Sequence, residues 1–188
     1  MIFSNTEFYF AEQKNINGKS ISIYDEEAKH ITSVMRHSIG DDIFVTDGNG
    51  NVYKSIIKII TKTKIELTIL EKIKINNNLS HVTFYLPILK ATDRFEFALE
   101  KCVELGITNF KIFSAEKSHT RGIKIERWNK ILLAAMKQSL QAHLPIIEFI
   151  ELKDVNLKSD INIVLEQNSD EKLITYLNTD SFQKEVLK

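Results

Sequence analysis

Two short stretches of the sequence carry side chains able to hold a polyanion. KATDR at 90–94 presents Lys90 and Arg94 directly after an apolar run. EKSHTRG at 116–122 presents Lys117 and Arg121, with His119 between them and Ser118 and Thr120 alongside. Ammonium and guanidinium groups on such loops suit a phosphate or an RNA backbone, where charge neutralisation and counterion release supply affinity. Either stretch alone reads equally well as a solvated loop, but two on one edge of one sheet make the stronger pattern. Other chemistries find less support. His30 and His37 lie seven residues apart on one helix, and two imidazoles without a third ligand favour surface or packing roles over a metal site. The lone Cys102 excludes an internal disulfide and a Cys-cluster metal site. Neither a P-loop, a G-x-G-x-x-G turn nor a G-x-S-x-G elbow occurs. Gln138 stands seven residues after Ile131 and is predicted near the buried face of a helix. A buried amide must find partners, so it is either satisfied by backbone or points into a site. Arg127, Lys130, Lys137 and Gln141 follow at helical spacing as a wet face, and Trp128 reads as core rather than a base-stacking platform.

These groups need elements to position them. The first eighty residues read mainly as short strands. VYKSIIKII (52–60) and KIELTILEKIKI (64–75) are rich in β-branched residues, with Ile65, Leu67 and Ile69 on one face. DGNGN at 47–51 signals a hairpin between IFVT and VYKS. One helix interrupts them: Asp25 is expected to cap it, Ala28, Ile31, Val34 and Met35 to form its apolar stripe, and Gly40 to end it. This predicts a small β-barrel with one helix over residues 1–73, followed by an Asn-rich linker at 74–80.

From residue 81 the periodicity changes. VTFYLPIL (82–89) reads as a strand covered on both faces in a parallel sheet. Asp93 and Glu96 suggest a capping box opening a helix whose inward face is Phe95, Ala98, Leu99, Cys102 and Leu105, with Gly106 at its end. ITNFKIFS (107–114) is the second strand, 124–143 the second helix closed by Pro145, and INIVLE (161–166) the third strand. Alternating strands and helices predict an open, mostly parallel α/β sheet over 81–188. Ligands of such sheets gather at the carboxyl ends of the strands, where 90–94 and 116–122 would lie.

Composition agrees with a soluble globular protein: 188 residues, 43% hydrophobic and 27% charged, with 25 basic and 25 acidic groups. The amino terminus lacks a basic n-region and the longest apolar runs are far too short to span a bilayer, which predicts a cytoplasmic protein. Neutrality is a cancellation. Residues 81–145 hold 10 basic against 6 acidic groups, residues 146–188 hold 5 against 9, and residues 1–80 balance. The basic middle is a candidate electrostatic footprint for nucleic acid.

The order of local strings resembles the bacterial 16S rRNA (uracil-N3)-methyltransferase family of the SPOUT superfamily. The resemblance runs through His30, Val34-Met35-Arg36, Gly40-Asp41, Asp47-Gly48, Asn49-Gly50 and Tyr53. It continues through Lys90, Asp93-Arg94, Glu96, Lys101, Glu104-Leu105-Gly106-Ile107, Glu116, Ser118, Arg127-Trp128, Gln138-Ser139 and Leu144-Pro145. It implies a PUA-like RNA-binding barrel followed by a homodimeric α/β-knot domain with S-adenosylmethionine as methyl donor. The implied product is a uridine methylated at ring nitrogen 3 in the 16S rRNA of the small ribosomal subunit. With the resemblance, Arg36, Lys90, Arg94, Lys117 and Arg121 form the expected RNA surface and Gln138 is expected near the cofactor site. No catalytic base is assigned.

Two departures accompany the resemblance. The family has Glu before the helix glutamine and Arg shortly beyond it, where this chain has Lys137 and Gln141. The family also continues into a Gly-Pro-Glu-Gly-Gly loop and later segments that form the knot and cradle the adenosine, and no glycine follows Gly122 here. These 188 residues are therefore expected not to bind the cofactor or to dimerise by themselves, as a truncated enzyme or a shortened, RNA-binding relative. The alternative to an enzyme is a non-catalytic RNA-binding or ribosome-assembly factor. An unrelated nucleotide-binding α/β protein is the third option, disfavoured by the missing glycine loop.

Overall fold

A computed structural model describes residues 8–115, 123–155 and 161–164. Alternating β-branched residues build the first sheet. Its strands are β1 (Phe8–Phe10), β2 (Ile16–Asn17), β3 (Ser20–Tyr24), β4 (Asp42–Thr46), β5 (Asn51–Ile60) and β6 (Lys64–Lys74). They are ordered β1-β4-β5-β6-β3-β2, with β1 parallel to β4 and the other pairs antiparallel. Period-two patterning places Ile21 and Ile23 of β3, Ile43 and Val45 of β4, and Ile65 and Leu67 of β6 in one buried cluster. The register stacks Ile21 on Leu67 and Ile23 on Ile65. The DGNGN turn joins β4 to β5 as predicted, with Thr46 opposite Val52. The six strands form a mixed sheet in which β1 and β2 are the two ends of the order.

The expected first helix is shorter than its stripe. α1 (Asp25–Lys29) widens into a π-turn at His30–Val34. A π-turn advances fewer degrees per residue than an α-turn, so the stripe rotates out of register. Ala28 and Ile31 are buried, whereas Val34 and Met35 are 63% and 42% exposed. Asp25 is not a side-chain cap; it takes φ +51° as the first helical residue, after an uncapped Tyr24.

The second sheet is parallel, ordered β7 (Thr83–Pro87), β8 (Asn109–Phe113) and β9 (Ile146–Ile150). α2 (Thr92–Glu104) and α3 (Ile125–Gln138) are the crossovers that parallel pairing requires. The third strand is thus 146–150 and not 161–166: residues 161–164 have no regular structure, and 165–166 lie outside the described residues. Phe95, Leu99 and Val103 of α2 meet Trp128, Leu132, Ala135 and Met136 of α3 over Phe110 and Ile112. The Phe95 and Trp128 rings lie 4.8 Å apart. Leu105, expected inward, is 75% exposed because α2 has ended and Val103 holds the i+4 position from Leu99. The expected capping box is absent: Ala91 precedes the helix without a side-chain cap, and Glu96 turns to Arg127.

Both helices end in the same hydrogen-bond pattern. After α2, Ile107 N–H donates to Cys102 O and Gly106 N–H to Val103 O, with Gly106 at φ +94°. After α3, Gln141 N–H donates to Met136 O and Leu140 N–H to Lys137 O, with Leu140 at φ +57°. These are Schellman turns, and the second stops α3 at Gln138, short of the expected 143.

A third apolar cluster joins the first sheet to the segment after α3. Phe8, Val52 and Ala142 are fully buried together, with Phe44, Ile73 and Leu140 against them. The described residues through Lys153 belong to one compact unit, and those from Asp154 onward to another.

Candidate nucleic-acid interface

Chain direction sorts the expected site residues. β7, β8 and β9 run the same way, so the turn before α2 lies at their carboxyl edge and the ends of α2 and α3 at their amino edge. Lys90 lies between β7 and α2, and Arg94 is the third residue of α2; both are exposed. Ile88 N–H donates to Phe113 O at 2.9 Å, which fastens the start of this turn to the end of β8. Neither Lys90 nor Arg94 has an ion-pair partner among the described residues. Lys117 and Arg121 lie outside the described residues.

Two other cations of α2 and α3 are engaged. Arg127 Nε and Nη2 reach the two Glu96 carboxylate oxygens at 2.6 Å each, and this partner raises the guanidinium pKa further. Lys101 bridges Glu104 and Glu100 at 2.7 and 2.9 Å. Lys130 opens on a groove of about 560 Å³ that Asp93, Glu96 and Glu100 also line. With Arg127 as the other cation, three carboxylates leave this groove slightly acidic, which makes it a poorer place for phosphate than the Lys90 turn.

Gln138 belongs elsewhere. It is exposed, contrary to the expectation that it sits near the buried face. At about 100° per residue, Trp128, Leu132, Ala135 and Met136 span one arc, and position 138 falls roughly 60° outside its edge. α3 has 14 residues, so Gln138 stands roughly 20 Å along the helix from the carboxyl edge where Lys90 lies. The structure does not bring these residues together.

The residue beside it, Lys137, reaches α1. Lys137 Nζ donates to Glu27 Oε2 of α1 at 2.8 Å, with only 13% and 20% of the two side chains exposed. Glu27 Oε1 also accepts the Phe10 N–H at 2.9 Å. One departure from the resembled family, Lys137, is thus a clamp between α3 and α1.

Arg36 stands at the other end of the α1–π segment, exposed and at φ +60°. It has no ion-pair partner among the described residues. Around it His37 Nε2 lies 3.0 Å from Tyr9 Oη and His37 Nδ1 lies 3.3 Å from Asp41 Oδ2. Both His30 and His37 rest edge-on against the Tyr9 ring, which is the packing role expected of them. Among the described residues no group of His, Cys, Asp and Glu is placed to hold a metal.

Sequence reasoning took DGNGN only as a hairpin and missed its larger part. Asp47 is 4% exposed. Its carboxylate accepts Asn49 N–H at 2.8 Å, Asn51 N–H at 3.2 Å, Asn51 Nδ2 at 2.6 Å and Tyr53 O–H at 3.3 Å. Burial, and then the Asp47 charge, push the Tyr53 phenol pKa up. The ordered turn grips the segment after α3: Gly50 N–H donates to Ala142 O at 2.9 Å and Leu144 N–H to Gly48 O at 2.8 Å. The signal was the pairing of two left-handed glycines with a polar run, Gly48 at φ +73° and Gly50 at φ +82°.

A nucleotide-like cofactor needs close backbone approach, usually at glycine, and polar groups inside the site. Among the described residues the glycines are Gly18, Gly40, Gly48, Gly50 and Gly106, none at the carboxyl edge of the parallel strands. The buried polar residues Thr46, Asp47 and Ser55 belong to the first sheet and its β4–β5 turn. The described residues do not form an adenosine cradle.

Comparisons with known proteins identify the family. The model of an RNA methyltransferase PUA domain matches residues 23–70. The chain is 30% identical over 146 residues to the ribosomal RNA small subunit methyltransferase E of Bacillus subtilis, covering 73% of this chain and 57% of that protein. It is 27% identical over 157 residues to the protein of the same name from Rickettsia conorii, covering 83% and 64%. The chain therefore spans less than two thirds of the length of these curated relatives. A solved "probable rRNA-methyltransferase" from Porphyromonas gingivalis aligns with TM-score 0.69 and 29% identity over 78% of this chain and 61% of that one. The methyltransferase E of Neisseria gonorrhoeae bound to S-adenosylmethionine shares the fold at TM-score 0.69 and 24% identity, over 78% and 62%. With the model of an RNA methyltransferase domain matching residues 76–187, more than half of its length, the chain belongs to the RNA methyltransferase family.

Proposed function

We propose that the chain engages small-subunit rRNA for methylation of a uridine at N3, with S-adenosylmethionine as donor. The observation that carries the RNA part is the state of its cations. Lys101, Arg127 and Lys137 are paired, whereas Lys90 and Arg94 stand exposed at the carboxyl edge of the parallel sheet without ion-pair partners among the described residues. An unpaired cation loses little on meeting a phosphate, whereas a paired one must first give up its carboxylate. Lys90 and Arg94 would neutralise backbone phosphates and fix the register of the strand, leaving the target base to be read elsewhere. Lys117 and Arg121 extend the same surface in this proposal.

Methylation at N3 requires loss of a ring proton and alignment of the nitrogen with an electrophilic methyl group, so positioning carries much of the catalysis. The donor supplies that methyl as a sulfonium. The assignment of the donor follows family membership. The boundary between the PUA-like part and the methyltransferase part is placed in 74–80, as supported by matches ending at 70 and beginning at 76. The competing reading is an RNA-binding or ribosome-assembly factor that transfers no methyl group.

The test is a paired assay on small-subunit rRNA. Lys90→Glu with Arg94→Glu should weaken binding at least tenfold at low salt and lower the salt slope by about 1.4–1.8. The melting temperature should stay unchanged. Unaltered affinity removes both residues from the surface. Transfer of label from the donor to the rRNA separates the enzyme from the binding factor.

A further inference from the structure

The exposed corner after the π-turn carries a feature that the proposed function does not use. Arg36 is an L-residue at φ +60°, a conformation in which Cβ crowds the carbonyl oxygen. Such a residue persists only where its surroundings fix it, and here they fix it on both sides. Before it, Met35 N–H donates to His30 O at 3.0 Å. After it, His37 N–H donates to Ile31 O at 3.1 Å, closing a turn one residue wider than an α-helical cap. The His37 ring is the second anchor. Asp41 Oδ2 accepts Ser38 N–H at 2.9 Å and lies 3.3 Å from His37 Nδ1. The Ser38 N–H, and then His37, hold the Asp41 carboxyl below its ordinary value, so it is ionised and can only accept. His37 Nδ1 therefore carries the proton, and in the neutral ring Nε2 accepts from the Tyr9 hydroxyl 3.0 Å away. Tyr9 itself is 1% exposed in the core. The ring thus ties the exposed corner to a buried tyrosine on one side and to the Gly40-Asp41 turn on the other. That turn is fixed in its own right by Gly40 N–H to Ile57 O and Ile57 N–H to Asp41 O, at 2.9 and 3.0 Å.

What this anchoring presents is a cation among apolar groups. Val34, Met35 and Ile39 flank Arg36 and are 63%, 42% and 63% exposed. A guanidinium for phosphate beside apolar side chains for an unstacked base suits a single strand better than a duplex, whose bases are closed to such contacts. We propose that His37 is a positioning residue that locks Arg36 in its left-handed corner for contact with a single-stranded RNA segment. The inference rests on the RNA-binding reading above. His37 acts only through Arg36 and is not itself a contact.

Affinity for a single-stranded small-subunit rRNA fragment, measured against salt, tests this with the whole chain. Arg36→Ala should weaken binding three- to tenfold and lower the salt slope by about 0.7, one single-strand phosphate contact. His37→Phe keeps the edge-on packing against Tyr9 but loses both polar anchors, and should reproduce the loss and the lowered slope. The double variant should be no weaker than Arg36→Ala alone, since both changes remove one contact. His37→Gln, whose amide can still bond Tyr9 or Asp41, should recover part of the affinity. If His37→Phe fails to fold, Asp41→Asn and His37→Gln carry the same comparison against Arg36→Ala. Binding by the unaltered chain that His37→Phe leaves unchanged, or losses that add in the double variant, overturns the positioning role alone. Absence of salt-dependent binding by the unaltered chain overturns the RNA reading and this inference with it.

Discussion

At the scale of single residues, the buried polar groups set how the protein responds to its surroundings. His143 lies between the Asp47 turn and Lys74. Burial, and then the Lys74 charge, lower its pKa from 6.5, while Asp47 opposes them. The sign of the consequence follows from proton linkage. The unfolded chain takes up a proton as pH falls through 6.5 while the folded chain does not, so stability is complete above that value and is lost on acidification. Thermal unfolding should show the melting temperature falling from about pH 8 to about pH 5.5, with the fall reduced in His143→Asn. A profile identical in the two proteins would remove His143 as the source. None of this was legible beforehand, because no spacing rule connects His143 with Asp47, 96 positions earlier. The hairpin glycines were visible; what the turn grips was not. Gln138 shows the reverse error, since spacing from Ile131 placed it inward while Ile131 itself lies on the flank of α3.

At the scale of elements, helix ends decide where the site residues fall. Both described Schellman turns need a left-handed residue, and Gly106 supplies it after α2 without strain. A Cβ at Gly106 would meet only ordinary contacts, the nearest being Leu79 Cδ1 at 3.5 Å. Gly106→Ala should therefore cost only the conformational penalty, about 1–2 kcal/mol. At Gly50 the same change would also drive Cβ into His143 Nε2 and to 2.8 Å from Ile75 O, so Gly50→Ala should cost more, about 3 kcal/mol. Urea denaturation of the two variants orders them, and an equal loss would refute the steric difference. Where glycine marks the turn, as at 106, the end of the helix was readable. After α3 the turn residue is Leu140, half-buried against Phe8 and Val52, and the helix was expected to run five residues too far. The π-turn gave no cue at all, and the β-rich runs at 146–150 and 161–166 were indistinguishable by composition. The hairpin, the long strands β5 and β6, and the switch to a parallel sheet were legible because each is a local period.

At the scale of the molecule, two separately matched parts share one compact unit through Lys153. The apolar contact of Phe8 and Val52 with Ala142 supplies cohesion, and the Glu27–Lys137 pair adds directionality. Both side chains are largely out of water, so neither can lose its partner cheaply. Lys137→Met leaves the Glu27 carboxylate with the Phe10 N–H alone and should cost about 2 kcal/mol. Glu27→Gln keeps an acceptor for Phe10 N–H but weakens the bond to the ammonium, and should cost about 1 kcal/mol. The double variant should lose less than the sum, with a coupling of about 1 kcal/mol. Exchanging the two charges should recover only part of the loss, because the Phe10 N–H would then face a lysine ammonium instead of an acceptor. Chemical denaturation with two probes, Trp128 fluorescence for the α/β part and far-ultraviolet dichroism for the whole, checks the cycle. Coincident transitions in the unaltered chain and their separation in Lys137→Met would show that the clamp couples the two sheets. Coincident transitions in both, with no measurable coupling, would leave cohesion to the apolar cluster alone.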